Sequence, residues 1–224
     1  MKKKLIIILT IISFISIINI KSILERLIEN QLSIITEYNV QLNLKKFNLL
    51  SGSLEFNKIR LENKKNFFNK NIFEAEKIII KFDTKTYFND LVIIEKLIFH
   101  EPKFFFEIKN IDKKSNKQDN LKILEKLNAT NKPKIYPKKT KDKNFLITQL
   151  EIDNAITYIN YKNNKKNLKI PLSKMIFSNV GNSGNKKNKF QHYKNTIKFI
   201  FKDIFLRIPD ENLRNLIKIN YNFQ

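Results

Sequence analysis

Cysteine and tryptophan are absent from this chain, glycine occurs three times and histidine twice. Each scarcity excludes something. Without cysteine there is no disulfide framework, no thiolate metal site and no lipoprotein acylation site. Three glycines, at Gly52, Gly181 and Gly184, cannot build a phosphate cradle, and no GxGxxG, Walker, GxSxG or HExxH pattern occurs. His100 and His192 are the only side chains suited by ordinary pKa to neutral-pH acid–base work, and they stand in different segments. Glu74 with Glu76, and Glu151 with Asp153, fall at alternate strand or turn positions and read as a wet sheet face, with no third converging ligand. The chain reads as a non-enzyme without cofactor or metal.

What is abundant is lysine. The 224 residues carry a formal net charge of +22, with 39 lysines against 4 arginines, beside 37 isoleucines and 31 asparagines. These enriched residues share A/T-rich codons, so mutational bias accounts for part of the charge. A nucleic-acid surface would draw on arginine, whose planar fork reads guanine and phosphate. No nucleic-acid partner is therefore expected, although a basic binding face with interleaved aromatics stays as a third alternative. A surface this basic still attracts anionic lipid at low salt.

Behind Lys2-Lys3-Lys4 an apolar run extends from Leu5 to Ile20, broken only by Thr10, Ser13, Ser16 and Asn19. As a helix it would cover about 24 Å, slightly less than the ~30 Å hydrocarbon core, and Lys21 can snorkel. No alanine precedes Ala75, so a small-residue cleavage site is lacking and an uncleaved signal-anchor over residues 1–22 is the reading adopted over a cleaved peptide. Its lipid-facing residues would include Leu5, Ile8, Ile12, Ile15 and Ile18. The basic flank puts the N-terminus in the cytoplasm and the remaining chain across the membrane.

Residues 23–109 form the next expected unit. Ile23, Leu24, Leu27, Ile28, Leu32 and Ile35 have helical spacing, for a helix that lies on the interface or covers the first sheet edge. Strand-like alternation follows over Asn39–Lys45 and Asn48–Leu61, with a phase slip at Asn57-Lys58 that predicts a bulge. Phe67-Phe68 sit in a polar loop; core burial is the ordinary reading of such a pair, with dipping into a lipid surface or closing the end of a groove as alternatives. The stretch Asn71–Lys109 reads as three strands of a β-meander: Phe73–Phe82, Leu91–His100 stopped by Glu101-Pro102, and Lys103–Lys109. Residues 110–143 read as a linker, with a short helix over Asp119–Leu127. Residues 144–182 read as a second, partial β unit: a hairpin about Asp153-Asn154, then a strand Leu168–Ser178 that Pro171 marks as an edge or bulge. Residues 183–224 read as amphipathic helices, the first carrying Ile197, Ile200, Phe201, Ile204, Phe205 and Ile208, ended by Pro209, with Asp210 capping a second.

One pattern recurs in these strands. Ala75, Ile78, Phe82-Asp83, Ile94-Glu95-Lys96-Leu97-Ile98-Phe99, Pro102, Phe104 to Ile108 and Asn120-Leu121 follow one another as in the repeating unit of AsmA-like bacterial envelope proteins, which the chain resembles. Leu50 to Leu61 fits the glycine-containing strand pair that precedes that unit, and Phe145 to Gly181 resembles a second, partial one. The resemblance covers roughly three quarters of the chain and rests on hydrophobic patterns with no catalytic residue.

The resemblance implies mainly β architecture with flanking helices (α+β): a transmembrane helix, an elongated curved antiparallel sheet with an apolar concave face, and C-terminal amphipathic helices. That face would be a lipid groove lined by Ile78, Ile80, Phe82, Ile94, Ile98, Phe104, Phe106 and Ile108. The protein would sit in the bacterial inner membrane as a single-pass protein, with its bulk in the periplasm and a role in envelope and outer-membrane biogenesis by holding or passing acyl chains. Its partners would be the inner membrane, phospholipid or another acyl-chain lipid, and envelope proteins. About nine strands at ~4.8 Å reach about 43 Å, short of bridging an envelope. The alternative is a structural, membrane-anchored β-domain that scaffolds protein partners through exposed sheet edges.

Overall fold

The structure, a computed structural model, describes residues 21–34, 36–63, 67–108, 144–161, 166–182 and 191–215. The apolar run Leu5–Ile20 with its five candidate anchor residues, the 110–143 linker with its short helix, and the segment 183–190 lie outside the described residues. Among the described residues no helix is long and apolar enough to cross a membrane.

The protein is mainly β. Helix α1 (residues 21–34) precedes strands β1 (Val40–Asn48), β2 (Ser53–Glu62) and β3 (Asn71–Phe82). After a 3-10 turn at Thr84–Thr86 come β4 (Leu91–His100), β5 (Lys103–Ile108), β6 (Asn144–Asp153), β7 (Ile156–Tyr161), β8 (Lys166–Pro171), β9 (Met175–Gly181) and β10 (Gln191–His192). Helix α2 (Tyr193–Leu206) follows, then a last helical turn at residues 211–215. All ten strands join one sheet.

That sheet is mixed, which corrects the antiparallel expectation. β4 pairs with β6, β5 with β7 and β9 with β10 in parallel, and the remaining pairs are antiparallel. Parallel neighbours cannot be joined by a tight turn. Ile108, opposite Tyr161, and Asn144, opposite Leu91, accordingly stand at opposite ends of the sheet. The two β units read from sequence are halves of a single sheet, joined along β4–β6 and β5–β7.

The expected meander and hairpin are also corrected. β4 and β5 do not lie side by side; they are one line interrupted at Glu101-Pro102. On β3, Lys77 pairs with His100 before the interruption and Glu74 with Lys103 after it, so the register is unchanged. β6 and β7 are likewise collinear through Asn154: His100 pairs with Asp153 and Lys103 with Ile156. β8 and β9 continue the scheme, Pro171 facing Ile156 and Met175 facing Ile152. Glu101-Pro102 and Asp153-Asn154 have turn composition, yet each supplies a single left-handed residue, Glu101 at φ 49° and Asn154 at φ 54°. One such residue re-aims a strand without reversing it. The gap is bridged by hydrogen bonds from the Glu101 amide to the Asp153 carbonyl and from the Ile156 amide to the Pro102 carbonyl, both 2.9 Å.

These interruptions form one row across the sheet. By register, Lys58 on β2 (φ 53°) stands opposite Glu76 on β3, then Glu101, Asn154 and Ser173. At this row five neighbouring strand lines each take one three-residue step between inward side chains in place of two: Phe56 to Ile59, Ala75 to Ile78, Phe99 to Pro102, Ile152 to Ala155 and Leu172 to Met175. Because all five strands step together, inward residues stay inward and no register is lost. Only β1 does not step. It meets β2 there through the bulge read at Asn57-Lys58, a register shift between Gln41 and Asn43.

The inward face carries two joined apolar clusters. One gathers Leu42, Leu44, Phe56, Ile59, Ala75 and Ile78 beneath Leu24, Ile28 and Leu32 of α1. The other gathers the inward residues of β5 to β9 beneath Ile200, Ile204, Ile208 and Leu213, with Phe106 and Phe201 rings 5.6 Å apart. The Tyr161 hydroxyl donates to Asp210 (3.0 Å), whose other oxygen caps the last turn by accepting from the Leu213 amide (3.0 Å), as the cap read at Asp210 requires. Burial and this hydrogen bond hold the Tyr161 pKa above the ordinary phenol value.

Asn154 is the sharpest test of the shared step, because a β-branched side chain is strained in the left-handed region. Asn154→Val should cost about 1–2 kcal/mol, whereas Asn154→Gly should be neutral to within about 0.5 kcal/mol. Urea midpoints at unchanged m-value measure both.

Candidate functional site

The candidate groove residues separate into two sets. Ile78 and Phe106 are buried in the inward clusters, with Ile108 beside Phe106, and Ile80, Ile94 and Phe104 pack against them. Phe82 shares the inward parity of Ile80 and touches the Tyr87 ring at 5.9 Å. Ile98 is the exception. It alternates with Leu97 and Phe99, both of which pack inward, so it belongs to the opposite face, beside Ile79 of β3 and Glu151 of β6. Unbroken period-2 alternation from Ile94 would turn it inward, but β3–β4 pairing shifts between Phe82/Ile94 and Lys81/Lys96, so Glu95 is an extra residue and the phase changes there.

The groove reading needs this face uncovered, and the chain's own helices occupy it. α2 lies over the β5–β9 half. α1 lies over the β1–β3 half, the sheet-covering option read from its sequence, and it is held by a second device at the sheet edge. The Val40, Leu42 and Leu44 amides point away from β2, and each finds an oxygen on α1: Ser33 Oγ (3.0 Å), Glu29 Oε1 (2.9 Å) and Glu25 Oε1 (2.6 Å). Positions four apart on a helix rise about 6 Å, and positions two apart on a strand about 6.6 Å. A helix antiparallel to the strand can therefore cap its alternate donors in step. Half-burying an aliphatic side chain contributes about 1 kcal/mol, and a hydrogen bond to a charged group about 1.5–3 kcal/mol. The carboxylates thus seat α1 about as strongly as the Leu24–Ile28–Leu32 stripe, and they close an edge open to strand addition.

Among the described residues, a cavity of about 250 Å³ lies in the apolar face at the end where α1 begins. Leu24, Phe47, Leu49, Leu54, Phe82 and Tyr87 line it, with Asn48, Gly52 and Ser53. Gly52 has φ 63°, and a Cβ there would collide with the Phe82 carbonyl and meet Thr84 Cγ2 at 2.9 Å. Only glycine lets the β1–β2 turn close against the β3–β4 loop and form this wall. Ligand pockets usually measure about 300–1,000 Å³. This one suits the end of a chain and not a whole lipid.

The outward face carries cross-strand ion pairs among apolar residues such as Ile79 and Ile98. Lys81 pairs with Glu95 (2.8 Å), Lys103 with Glu76 (3.7 Å), and Lys45 and Lys46 with Glu55 (3.4 and 3.7 Å). Glu151 of β6 takes Lys174 on one side and Lys96 on the other. The Lys174 hydrogen bond lowers the Glu151 pKa; burial opposes this, and the two ammonium charges reinforce it. His100 Nδ1 lies 3.7 Å from Asp153 across the β4–β6 pair. Among the described residues no group of three His, Asp or Glu could hold a metal ion.

Sequence reasoning found the strands that line the cavity but not the cavity, because Leu24, Leu54 and Tyr87 meet only through non-local pairing. It gave Glu25 and Glu29 no role at the sheet edge. Their spacing with Ser33 at i, i+4 and i+8, beside the apolar stripe, was the available signal.

Comparison of the chain with protein-family models, with curated proteins and with solved structures returned no match.

Two measurements test this arrangement. Glu25→Ala with Glu29→Ala should raise hydrogen-exchange rates of the Leu42 and Leu44 amides at least about ten-fold, equivalent to one charged hydrogen bond, while those of β7 stay unchanged. Glu151 has a folded-state pKa below its unfolded one, so its contribution is present above the ordinary carboxylate pKa of about 4.3 and is lost as pH falls through the folded value. Glu151→Gln should lower stability at about pH 7 by about 1 kcal/mol or less, its lysines being well exposed, and should remove that part of the acid dependence. Urea midpoints of both chains across that pH range read the difference.

Proposed function

We propose that the protein is a non-enzymatic, membrane-anchored module of the bacterial envelope, of the AsmA-like kind its strand pattern resembles. It holds the end of a lipid acyl chain against the apolar face of its sheet. The observation that carries this reading is the apolar cavity between α1 and the β1–β2 and β3–β4 turns. It opens where the described chain begins, directly after the apolar run Leu5–Ile20. An anchor across the inner membrane, with the bulk of the chain in the periplasm, would put this cavity beside the bilayer. The cavity's size favours holding a chain end over carrying whole lipids, and outer-membrane biogenesis is the process such a holding role would serve.

A structural reading has its own support. Among the described residues all β8 pairs run to β7, so the outer edge of Lys166–Pro171 is open for a partner strand from another envelope protein. Pro171, Lys166 and Lys169 on that edge are the residue types that discourage unselective pairing.

Native mass spectrometry of the full chain, extracted from membranes in mild detergent, separates the two. Co-purifying phospholipid that is lost in Leu54→Asp, and kept in Ile176→Asp on the outward face, is the expected result. A folded chain that carries no phospholipid would end the lipid-holding reading in favour of the scaffold.

A further inference from the structure

One end of the sheet gathers large apolar side chains that point into solvent. Leu50 is 94% exposed and Phe88 97%, with Leu49 at 60% and Ile23 at 57%. They come from three separate segments: the first turn of α1, the β1–β2 turn and the β3–β4 loop. The cavity holds these segments together, since Leu24, Leu49 and Tyr87 all line it. Gly52 brings the β1–β2 turn against the β3–β4 loop, where an added Cβ would lie 3.2 Å from the Tyr87 hydroxyl. A single exposed leucine needs no explanation. Four apolar residues converging around the mouth of one apolar cavity make a patch, and a patch implies an occupant.

The course of the chain names that occupant. Ile23 is three residues beyond Ile20, where the apolar run Leu5–Ile20 ends. If that run enters a bilayer, this end of the sheet is tethered at the bilayer surface, where lipid outcompetes any freely diffusing partner. We infer that this end of the sheet is seated in the headgroup–acyl boundary of that bilayer. Leu50 and Phe88 are the inserted side chains, and the exposed Lys21 and Lys85 sit at headgroup level. The inference rests on the anchoring half of the proposed function and is independent of lipid holding. It also gives the cavity an entrance, because an acyl chain would reach Leu24 and Leu54 without crossing water.

The absence of tryptophan makes the test clean. Leu50→Trp, Phe88→Trp and Phe68→Trp each introduce a single tryptophan, excited selectively over the tyrosines, at an exposed site, Phe68 (69% exposed) standing at the opposite end of the sheet. The full chain is reconstituted into vesicles of phosphatidylcholine and phosphatidylglycerol, a fraction of them brominated on the acyl chains. Quenching of Leu50→Trp and Phe88→Trp should exceed that of Phe68→Trp by at least about two-fold, with blue-shifted emission. Equal quenching at all three sites, in a chain that floats with the vesicles, would overturn the seating and leave the anchor standing. A chain that does not float would overturn both.

Discussion

Backbone pairing between long strands is the constraint on which the other features depend. A strand that changes which side chains face inward must either drag its neighbours with it or lose its hydrogen bonds. In this sheet the neighbours follow. From β2 to the β8–β9 line, five strands take their three-residue step at one row, with Lys58, Glu101 and Asn154 as its left-handed residues. Each such residue costs roughly 1–2 kcal/mol of backbone strain. The return is a continuous inward face that keeps Phe106, Ile159 and Ile170 in one core. A step on a single strand would have turned half of that strand's apolar residues to water. At β1 the step ends as a bulge, which is tolerable because β1 has no further strand to carry with it.

The covering helices follow from the same face. Two halves of an apolar sheet need two covers, and the chain supplies them from the segments flanking the strands. Intramolecular cover acts at a high effective concentration, so a free lipid must displace a helix or find a gap. The gap lies where α1 starts and the β1–β2 turn closes on Phe82 and Tyr87. α1 is also the edge guard of β1, through Glu25, Glu29 and Ser33. Any process that lifted α1 would expose an apolar face and a strand edge together, and that coupling sets a high barrier to enlarging the cavity.

Much of this was legible from local pattern. Alternation located β1 to β3, the slip at Asn57-Lys58 announced Lys58, and Pro171 marked an edge. Helical spacing from Ile197 to Ile208, closed by Pro209 and restarted by Asp210, gave α2 and its successor. What failed was every inference that treated a turn-like pair as a reversal. Glu101-Pro102 and Asp153-Asn154 have the composition of turns because both demand a left-handed or proline conformation, and composition does not say whether the chain continues. Only the parallel pairing of β4–β5 with β6–β7 decides that, and it joins residues too far apart for local pattern to reveal. Ile98 was misplaced for a related reason, since the extra residue Glu95 shows itself only against β3.

The charge tells a similar story about function. A net charge of +22 invites a polyanion partner, yet the outward face spends much of its lysine on carboxylates across the strands, with Glu151 shared between Lys96 and Lys174. Such pairs tie neighbouring strands together and offset part of the positive field. The two most exposed large apolar side chains, Phe88 (97%) and Leu50 (94%), stand together at one end of the sheet, with Leu49 and Ile23 beside them. In a chain whose charge is dispersed and whose two most exposed apolar side chains share one end, that end is the better guide to what the protein touches.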